Sequence, residues 1–490
     1  MHGQENKLIQ TGIRNTTRMG TIRFFRHSTQ FFRHYIPTEF IVLGVLEFIA
    51  LTLSFYVGLE LRFFWADWEP HLGPLLPKAL VFGVVMLMSL VALGAYQRQS
   101  HQSIEMLALR IGSALMLGLV SLGMTYYIVP MFFLGRGAIA LAVLVSFFAI
   151  MLLRVLFYRI EDKRDMRPRV LVLGAGETAQ LVKQAAEDGE LNGLNIVGYA
   201  PMPGDKPVDT EFETVAVDDS LVRYVEEERI DQIVLAADDR RQGLPAQGLL
   251  DCKMSGVDVL DLLTFFERET GKIRIDILHP SWLYLSEGFR ESAFRRMAKR
   301  LFDISVSLIM LPFVLPLMVF ATVAILIESR GKGPVLYRQT RVSENGKPFS
   351  IYKFRSMCTD AEMDGKAVWA SKNDSRITRV GAVLRKCRVD EVPQLFNVLK
   401  GDMSFVGPRP ERPEFVQQLA DAIPYYNERH RVKPGLTGWA QIRYSYGASE
   451  EDGRQKLQYD LYYVKNYNIF MDLLILLQTA EVVLLGKGAH

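Results

Sequence analysis

The sequence predicts a multi-domain membrane protein. An N-terminal four-helix transmembrane bundle is followed by a central parallel α/β domain and a C-terminal, mostly helical α+β domain with one further membrane helix. Three observations carry this reading. Apolar residues make up 49% of the 490 positions and charged residues 23%, and the two classes are segregated along the chain. At mid-chain an apolar β run turns into a helix through Gly174-Ala-Gly176-Glu-Thr-Ala179. Near the C-terminus two adjacent carboxylates, Asp390 and Glu391, stand among cations. The length suits roughly three domains. The three cysteines form no CxxC pair and the histidines no HExxH spacing, so neither a zinc site nor a disulfide framework is indicated. This usage fits a reducing cytoplasm, and no nucleic-acid partner is expected.

Residues 1–36 form a basic arm with Lys7, Arg14, Arg18, Arg23, Arg26 and Arg33. Apolar stretches at about 40–65, 75–96, 104–130 and 137–158 are each long enough to span a bilayer, which places the bundle in 37–160. The first loop carries Asp67 and Glu69, with no Lys or Arg before Lys78. The second has Arg98, with Arg110 just beyond, and the third only Arg136. Arg159, Lys163, Arg164, Arg167 and Arg169 follow the last span. Basic flanks favour the cytoplasm, so both ends of the bundle are expected inside. The arm does not read as a signal peptide, because a span of normal length follows it without a small-residue cleavage pattern. Glu47 is expected to face the bundle interior, and Glu60 with Arg62 the outer interface. No run of charges continues along the other spans.

The middle domain, 168–290, alternates strands and helices. Strands are expected at Arg169–Leu173, around Gly193–Tyr199 and at Asp231–Ala237, giving a Rossmann-like α/β unit. The GxGxxA turn suits a dinucleotide. The second strand, however, ends Gly198-Tyr-Ala-Pro-Met-Pro-Gly204, with no carboxylate before Asp205 to hold a ribose. The glycines therefore serve either a nucleotide or only a tight turn with close helix packing.

Residues 301–327 form a fifth apolar segment. Lys299 and Arg300 flank one end, Arg330 and Lys332 the other, so neither end reads as external. Pro312 and Pro316 sit in its middle, and each removes a helix hydrogen bond. A re-entrant helix that dips into one leaflet and returns is expected, with Ser305 and Ser307 helping to satisfy freed carbonyls. Beyond it, a strand begun near Val335 ends at Tyr352-Lys353-Phe-Arg355, and a helix over 377–388 leads to Asp390-Glu391. Pro393 suits a first helical turn, so the pair is placed at a helix N-terminus, where the dipole favours anions. Gly407-Pro408-Arg409-Pro410 is a stiff turn that holds Arg409. Residues 472–485 are expected to form an amphipathic helix too short to span, lying on the membrane surface or packing the core. Carboxylates beside arginines and lysines suit an anionic substrate with a metal. The charge pattern alone is equally compatible with surface ion pairs.

Several stretches in fixed order narrow the choice: Lys299-Arg300-Leu-Phe-Asp303, Lys353-Phe-Arg355-Ser-Met, Asp374-Ser-Arg376-Ile-Thr-Arg379, the carboxylate segment 385–413, and Lys433-Pro-Gly-Leu-Thr-Gly-Trp439-Ala-Gln441. From about 295 to the C-terminus the chain resembles the bacterial sugar transferases, the polyprenol-phosphate phosphoglycosyl transferases. Asp238-Asp-Arg-Arg-Gln-Gly-Leu-Pro245 and 261–272 are similar to a subgroup from PEP-CTERM-associated exopolysaccharide loci. The resemblance implies a catalytic domain over 295–490 that moves a hexose 1-phosphate from a UDP-sugar to undecaprenyl phosphate, releasing UMP. It also implies the re-entrant helix, on the cytoplasmic face of the bacterial inner membrane, where the lipid bilayer meets a soluble substrate. By the same resemblance Asp390 is the nucleophile of a covalent phosphosugar intermediate, and Glu391 helps it hold Mg²⁺. Lys353, Arg355, Arg385 and Arg409 then bind phosphate, and Gln441 contacts nucleotide or sugar or only shapes its turn. A membrane-bound nucleotide-sugar dehydratase or epimerase is the rival reading. It needs a Tyr-x-x-x-Lys pair, which occurs nowhere in the chain. A non-catalytic assembly scaffold is the other, and the intact carboxylate pair weighs against it. A homodimer through the middle domain is compatible with the sequence.

Overall fold

The computed structural model describes residues 28–31, 34–64, 73–96, 104–133, 135–161, 167–208, 211–216, 221–239, 241, 243–286, 288–289, 292–358, 376–444, 447 and 449–484. Most of the basic arm, the loop charges Asp67, Glu69 and Arg98, Lys163 and Arg164, Arg240, and Asp374 with Ser375 lie outside them. The chain forms two compact units whose main division falls at Gly271/Lys272, with Val91–Gly94 grouped with the second.

In the first unit two short strands, β1 (Ser28–Phe31) and β2 (His34–Pro37), precede four long apolar helices. These are α1 (Thr38–Phe63), α2 (Leu75–Ala92), α3 (Ile104–Ile128) and α4 (Arg136–Glu161), each long and apolar enough to cross a membrane. Glu47 of α1 is fully buried, as its cost in lipid requires. Its partner is Arg154 of α4, 107 positions away, bound through Nε–Oε1 at 2.6 Å and Nη2–Oε2 at 3.0 Å. The Tyr96 hydroxyl also donates to Glu47. Glu60 and Arg62 are exposed at the other end of α1.

The α/β part holds β3 (Arg169–Leu173), α5 (Glu177–Glu187), β4 (Asn195–Ala200), α6 (Leu221–Glu227), β5 (Gln232–Leu235), α7 (Ala246–Met254), β6 (Asp258–Asp261) and α8 (Leu262–Thr270). The strands form one parallel sheet in the order β4-β3-β5-β6. Leu171, Leu173, Ile233 and Val257 build its core. Strand β6 had no signature in the sequence: it lies at the sheet edge, and all four of its residues are only half-buried.

The second unit begins at Lys272. Residues 272–286, read from the sequence as part of a middle domain ending at 290, make contacts here. The Ile273 amide donates to the Gln458 carbonyl at 3.0 Å, and the Lys465 ammonium lies 4.1 Å from the Trp282 ring centroid. After α9 (Pro280–Leu285) comes α10 (Ala293–Glu328), 36 residues long and running through both Pro312 and Pro316. Instead of the single expected strand, an antiparallel hairpin follows: β7 (Leu336–Val342) and β8 (Pro348–Phe354). Asn345 (φ 55°) and Gly346 (φ 74°) turn it, a dipeptide suited to positive φ at both positions. Then come α11 (Arg379–Lys386), a 3₁₀ turn at Val389–Gln394, α12 (Leu395–Lys400) and β9 (Ser404–Val406). The rest is α13 (Pro413–Ala422), a 3₁₀ turn at Tyr426–Arg431, β10 (Gly435–Thr437), α14 (Trp439–Arg443), α15 (Glu450–Asn466) and α16 (Ile469–Leu484). β9 and β10 pair in parallel. Trp439, Leu457, Leu461 and Tyr462 are buried in this helical body.

Helix α10 is fastened at both ends to this one unit. The buried Asp303 carboxylate accepts from Ser404 Oγ at 2.9 Å and the Phe405 amide at 3.1 Å. Lys299 donates to the Val406 carbonyl at 3.0 Å and to Asp472 at 2.7 Å. Arg300 caps α12 through the Val398 and Leu399 carbonyls, both at 2.6 Å. Read from the sequence as flanking charges, Lys299 and Arg300 are tied into the fold. At the far end Ala321 and Ile325 join Phe354, Leu384 and Val389 in one apolar cluster. Between the anchors Leu308, Ile309, Phe313, Leu317 and Phe320 are exposed. Helix α16 packs the core at its start, where Asp472 is fully buried. Asp303→Ala leaves a buried hydroxyl and a buried amide without their acceptor and should lower stability by about 2–4 kcal/mol. Asp303→Asn keeps an acceptor oxygen and should retain most of it. Thermal unfolding in detergent measures both.

Candidate active site

Asp390 and Glu391 open the 3₁₀ turn that runs into α12. Arg388, in the left-handed region at φ 58°, breaks α11 and turns the chain into the pair. The Thr378 hydroxyl caps α11, accepting from the Gly381 amide at 2.9 Å. The β7–β8 hairpin supplies Lys353. Arg409 comes from the Gly407-Pro-Arg-Pro turn, whose backbone lies directly on Lys433-Pro-Gly435. A Cβ on Gly407 would sit 2.2 Å from the Lys433 carbonyl oxygen, so only glycine fits. Arg429 holds the Arg409 carbonyl at 3.0 Å. Arg429 is itself buried against Asp460 at 2.7 Å and the Tyr426 hydroxyl at 2.9 Å.

The two carboxylates are treated differently. Glu391 Oε1 accepts from Lys353 at 2.7 Å and from Arg409 at 3.3 Å. Burial raises its pKa, but Lys353 and Arg409 outweigh burial and hold it well below the usual carboxylate range. Asp390 is 8% exposed, and no described residue hydrogen-bonds its carboxylate. Burial and the neighbouring Glu391 charge raise its pKa against Lys353, Arg385 and Arg388. The site thus sets Lys353, Arg385, Arg388 and Arg409 against two carboxylates, a formal excess of two positive charges. Two buried donors beside it, Arg385 Nη1 and Gln441 Nε2, have no partner among the described residues. Gln441 is placed by its Oε1, 3.4 Å from Arg409 Nη1. Such donors await acceptor oxygens.

Of the residues expected from sequence, the fold gathers Asp390, Glu391, Lys353, Arg385, Arg409 and Gln441. Arg355 points elsewhere, donating to the Lys332 carbonyl at 3.0 Å. Arg388 and Arg429 were missed as site residues. Arg388 stood in the basic run, whereas Arg429 had no signal beyond its charge. The described residues contain no group of three or more His, Cys, Asp and Glu arranged for a metal. The donors at the site are one carboxylate without a hydrogen bond and a second engaged through one oxygen. That pair fits Mg²⁺, which commonly takes one or two carboxylates and completes its shell with phosphate oxygens and water.

The opposite pKa shifts set opposite stability effects. Glu391, depressed, stabilises the fold above its ordinary carboxylate pKa, and that contribution is lost only as pH falls through its far lower folded value. Asp390, raised, works against the fold once pH rises through its folded value. At neutral pH Glu391→Gln should therefore lower stability by about 1–3 kcal/mol, leaving Lys353 and Arg409 uncompensated. Asp390→Asn should leave the melting temperature unchanged or higher. Calorimetry of the two variants checks the pair of signs.

Residues 294–486 match the family described as bacterial sugar transferase. A UDP-N-acetylgalactosamine-undecaprenyl-phosphate N-acetylgalactosaminephosphotransferase of Aeromonas hydrophila is 43% identical over 253 residues, covering 52% of this chain and 58% of that protein. A UDP-glucose:undecaprenyl-phosphate glucose-1-phosphate transferase of Klebsiella pneumoniae is 42% identical over 194 residues, 39% of this chain and 41% of that protein. The chain thus spans only about half the length of these two relatives. An exopolysaccharide production protein PSS of Rhizobium leguminosarum bv. phaseoli is 45% identical and matched along 97% of its length, against 39% of this chain. The matched segment holds α10, the carboxylate pair and all four facing cations, and the chain belongs to the bacterial sugar transferase family.

Proposed function

We propose that the protein transfers a hexose 1-phosphate from a UDP-sugar to undecaprenyl phosphate, giving undecaprenyl-diphosphate-sugar and UMP, as the initiating step of exopolysaccharide synthesis. One observation carries the reading: within a cationic pocket, one carboxylate is held ionised by two cations while its neighbour is buried without a hydrogen bond. The excess positive charge suits a diphosphate. Glu391, its lone pairs drawn to Lys353 and Arg409, is a poor nucleophile. Asp390, made more basic by burial and the neighbouring Glu391 charge and free of a hydrogen bond among the described residues, is the better one.

In the first step an Asp390 oxygen attacks the β-phosphorus, and the bond from that phosphorus to the bridging oxygen breaks. UMP leaves with the bridging electrons, and the sugar phosphate stays on Asp390. In the second step a phosphate oxygen of the polyprenol attacks the same phosphorus and Asp390 departs as a carboxylate. Arg385, Arg388 and Arg409 balance the charge that moves between the phosphates, and Lys353 keeps Glu391 anionic. Asp390 and Glu391 would hold Mg²⁺, which supplies further charge neutralisation on the diphosphate.

Both ends of α10 fasten to one domain, which supports a re-entrant course. A straight helix puts Asp303 and Ile325 roughly 33 Å apart, about the thickness of a bilayer core. A domain that grips both lies on one side, with the exposed stretch between them in the leaflet. The cytoplasmic face of the inner membrane is the side where UDP-sugars are found. The parallel α/β domain is read as a Rossmann-like structural module. Its glycine turn is served by its own carboxylates: Asp205 accepts from the Ala175 amide at 2.8 Å, and Asp238 from the Glu177 and Thr178 amides at 3.0 and 2.8 Å. Those are the donors a dinucleotide phosphate would need.

Asp390→Asn should abolish transfer of radiolabelled sugar phosphate from UDP-sugar to undecaprenyl phosphate, while the variant still melts cooperatively. Turnover near the parent level contradicts the nucleophile assignment. Topology is checked separately. Helix α10 continues through Pro312 and Pro316, and changing both to Leu restores the helix hydrogen bond that each proline removes, each proline disfavouring a straight helix by about 3 kcal/mol. A cysteine near Glu344 should be protected from an impermeant thiol reagent in the parent and partly labelled in the double variant. External labelling of the parent means that α10 spans the membrane.

A further inference from the structure

Arg355, expected among the site cations, stands two residues past Lys353, and two strand residues cover about 7 Å. Its amide donates to the Val335 carbonyl at 2.9 Å, so the β7–β8 ladder runs on to it. Its guanidinium uses only Nη1 on a described residue, the Lys332 carbonyl at 3.0 Å. That carbonyl belongs to the turn that ends α10. Arg330 (φ 52°) and Gly331 (φ 74°) are left-handed there, and the Gly331 amide donates to the Leu326 carbonyl at 2.8 Å, which closes the helix. Arg330 and Lys332 are exposed. Glu328 accepts from the Val380 amide at 3.0 Å. Apolar surface leads up to these cations: Phe320, Val323 and Ile327 of α10 are exposed, and so is Leu336 beyond the turn. The buried side of the same helix end packs Ile325 with Phe354 and Val389. Arg355 follows Phe354 in the chain and Asp390 follows Val389. One cluster thus joins the exposed apolar end of α10, the Arg355 guanidinium and the carboxylate without a hydrogen bond.

The two substrates arrive differently. A UDP-sugar comes from water. A polyprenol tail stays in the leaflet, so its phosphate comes in where the apolar face of α10 ends. A phosphate monoester is anionic at neutral pH, and its oxygens match the planar fork of a guanidinium. Resting on the transferase reading and the re-entrant course proposed above, we infer that Arg355, with Lys332 beside it, receives the phosphate of the membrane-borne acceptor, while Arg385, Arg388 and Arg409 serve the donor diphosphate. From there an acceptor oxygen attacks the phosphorus carried by Asp390. The new oxygen–phosphorus bond forms, the bond from phosphorus to Asp390 breaks, and its electron pair returns to the carboxylate. The attacking oxygen is already anionic, so no proton has to be removed. This division of the cations by step accounts for Arg355 standing apart from Glu391.

The test separates the half-reactions in the full-length protein with Arg355→Ala, Arg355→Lys and Lys332→Met. The last, at an exposed position, repeats the comparison without touching the backbone carbonyl that holds Arg355. The donor is whichever of UDP-glucose, UDP-galactose, UDP-N-acetylglucosamine and UDP-N-acetylgalactosamine the parent turns over fastest. Without acceptor, the single-turnover release of UMP should stay within about twofold of the parent, which also certifies the fold. With undecaprenyl phosphate, Arg355→Ala should lower kcat/KM for the acceptor by roughly tenfold or more, Lys332→Met by less, and Arg355→Lys should recover part of the loss. A proportional loss of the UMP burst would place Arg355 with the donor and overturn the proposal. An unchanged kcat/KM for the acceptor in Arg355→Ala and Lys332→Met would overturn it too. Assays in detergent and in nanodiscs containing phosphatidylglycerol distinguish the two lipid phosphates. The defect is expected in both, and a defect confined to the nanodiscs would assign Arg355 to phospholipid headgroups and overturn the acceptor site. A parent inactive with all four sugars would instead overturn the transferase reading itself, and the acceptor site with it.

Discussion

The candidate site depends on holding two adjacent carboxylates in unlike surroundings at a partly buried position. Left alone, neighbouring carboxylates share a proton, because like charges at close range cannot both ionise cheaply. Here Lys353 and Arg409 converge on one oxygen of Glu391, and Asp390 is left without a hydrogen bond among the described residues. The asymmetry comes from where the cations are mounted. Lys353 stands on the β7–β8 hairpin and Arg409 on a proline-flanked turn, so both reach the Glu391 side of the pair. Arg385 and Arg388 precede the pair and temper Asp390 without bonding to its carboxylate.

That arrangement holds only if strand β9 and the turn after it are rigid, and α10 supplies much of the rigidity. Asp303 grips the start of β9, and Lys299 grips its last carbonyl together with Tyr463, which donates to Val406 at 2.9 Å. Arg409 follows three residues later, held from behind by Arg429. A helix whose exposed middle is apolar is therefore also the brace of the Gly407-Pro-Arg-Pro turn. These few buried hydrogen bonds couple the apolar helix to the geometry of the carboxylate site.

Much of this was legible in the sequence. The four spans, the three inner strands of the parallel sheet and the segment carrying Asp390 and Glu391 all have local signatures: apolar run length, β runs bounded by glycine, adjacent charges beside proline. What escaped was non-local or weakly patterned. Arg154 looked like an ordinary residue of a span, because its partner Glu47 lies 107 positions away. Strand β6 is an edge strand without a buried face. The hairpin reads as one strand from the cations at its end, although Asn345-Gly346 is a turn signal. Arg429 acquires meaning only once Asp460 of α15 pairs with it and it reaches the Arg409 carbonyl. Lys299 and Arg300 read in the sequence as cations flanking an apolar run, and the fold adds to this that they bind backbone carbonyls far along the chain.

The central claim, that Asp390 carries the sugar phosphate between donor and acceptor, is tested most directly by trapping that species. The full-length protein is mixed with UDP-sugar in the absence of polyprenol phosphate, quenched in acid and digested. Mass spectrometry of the peptide containing residues 388–400 should then find a hexose-phosphate adduct on Asp390, formed with release of UMP and lost when undecaprenyl phosphate is added before the quench. Formation of product without any adduct on this peptide, or an adduct that persists unchanged in Asp390→Asn, would contradict the account.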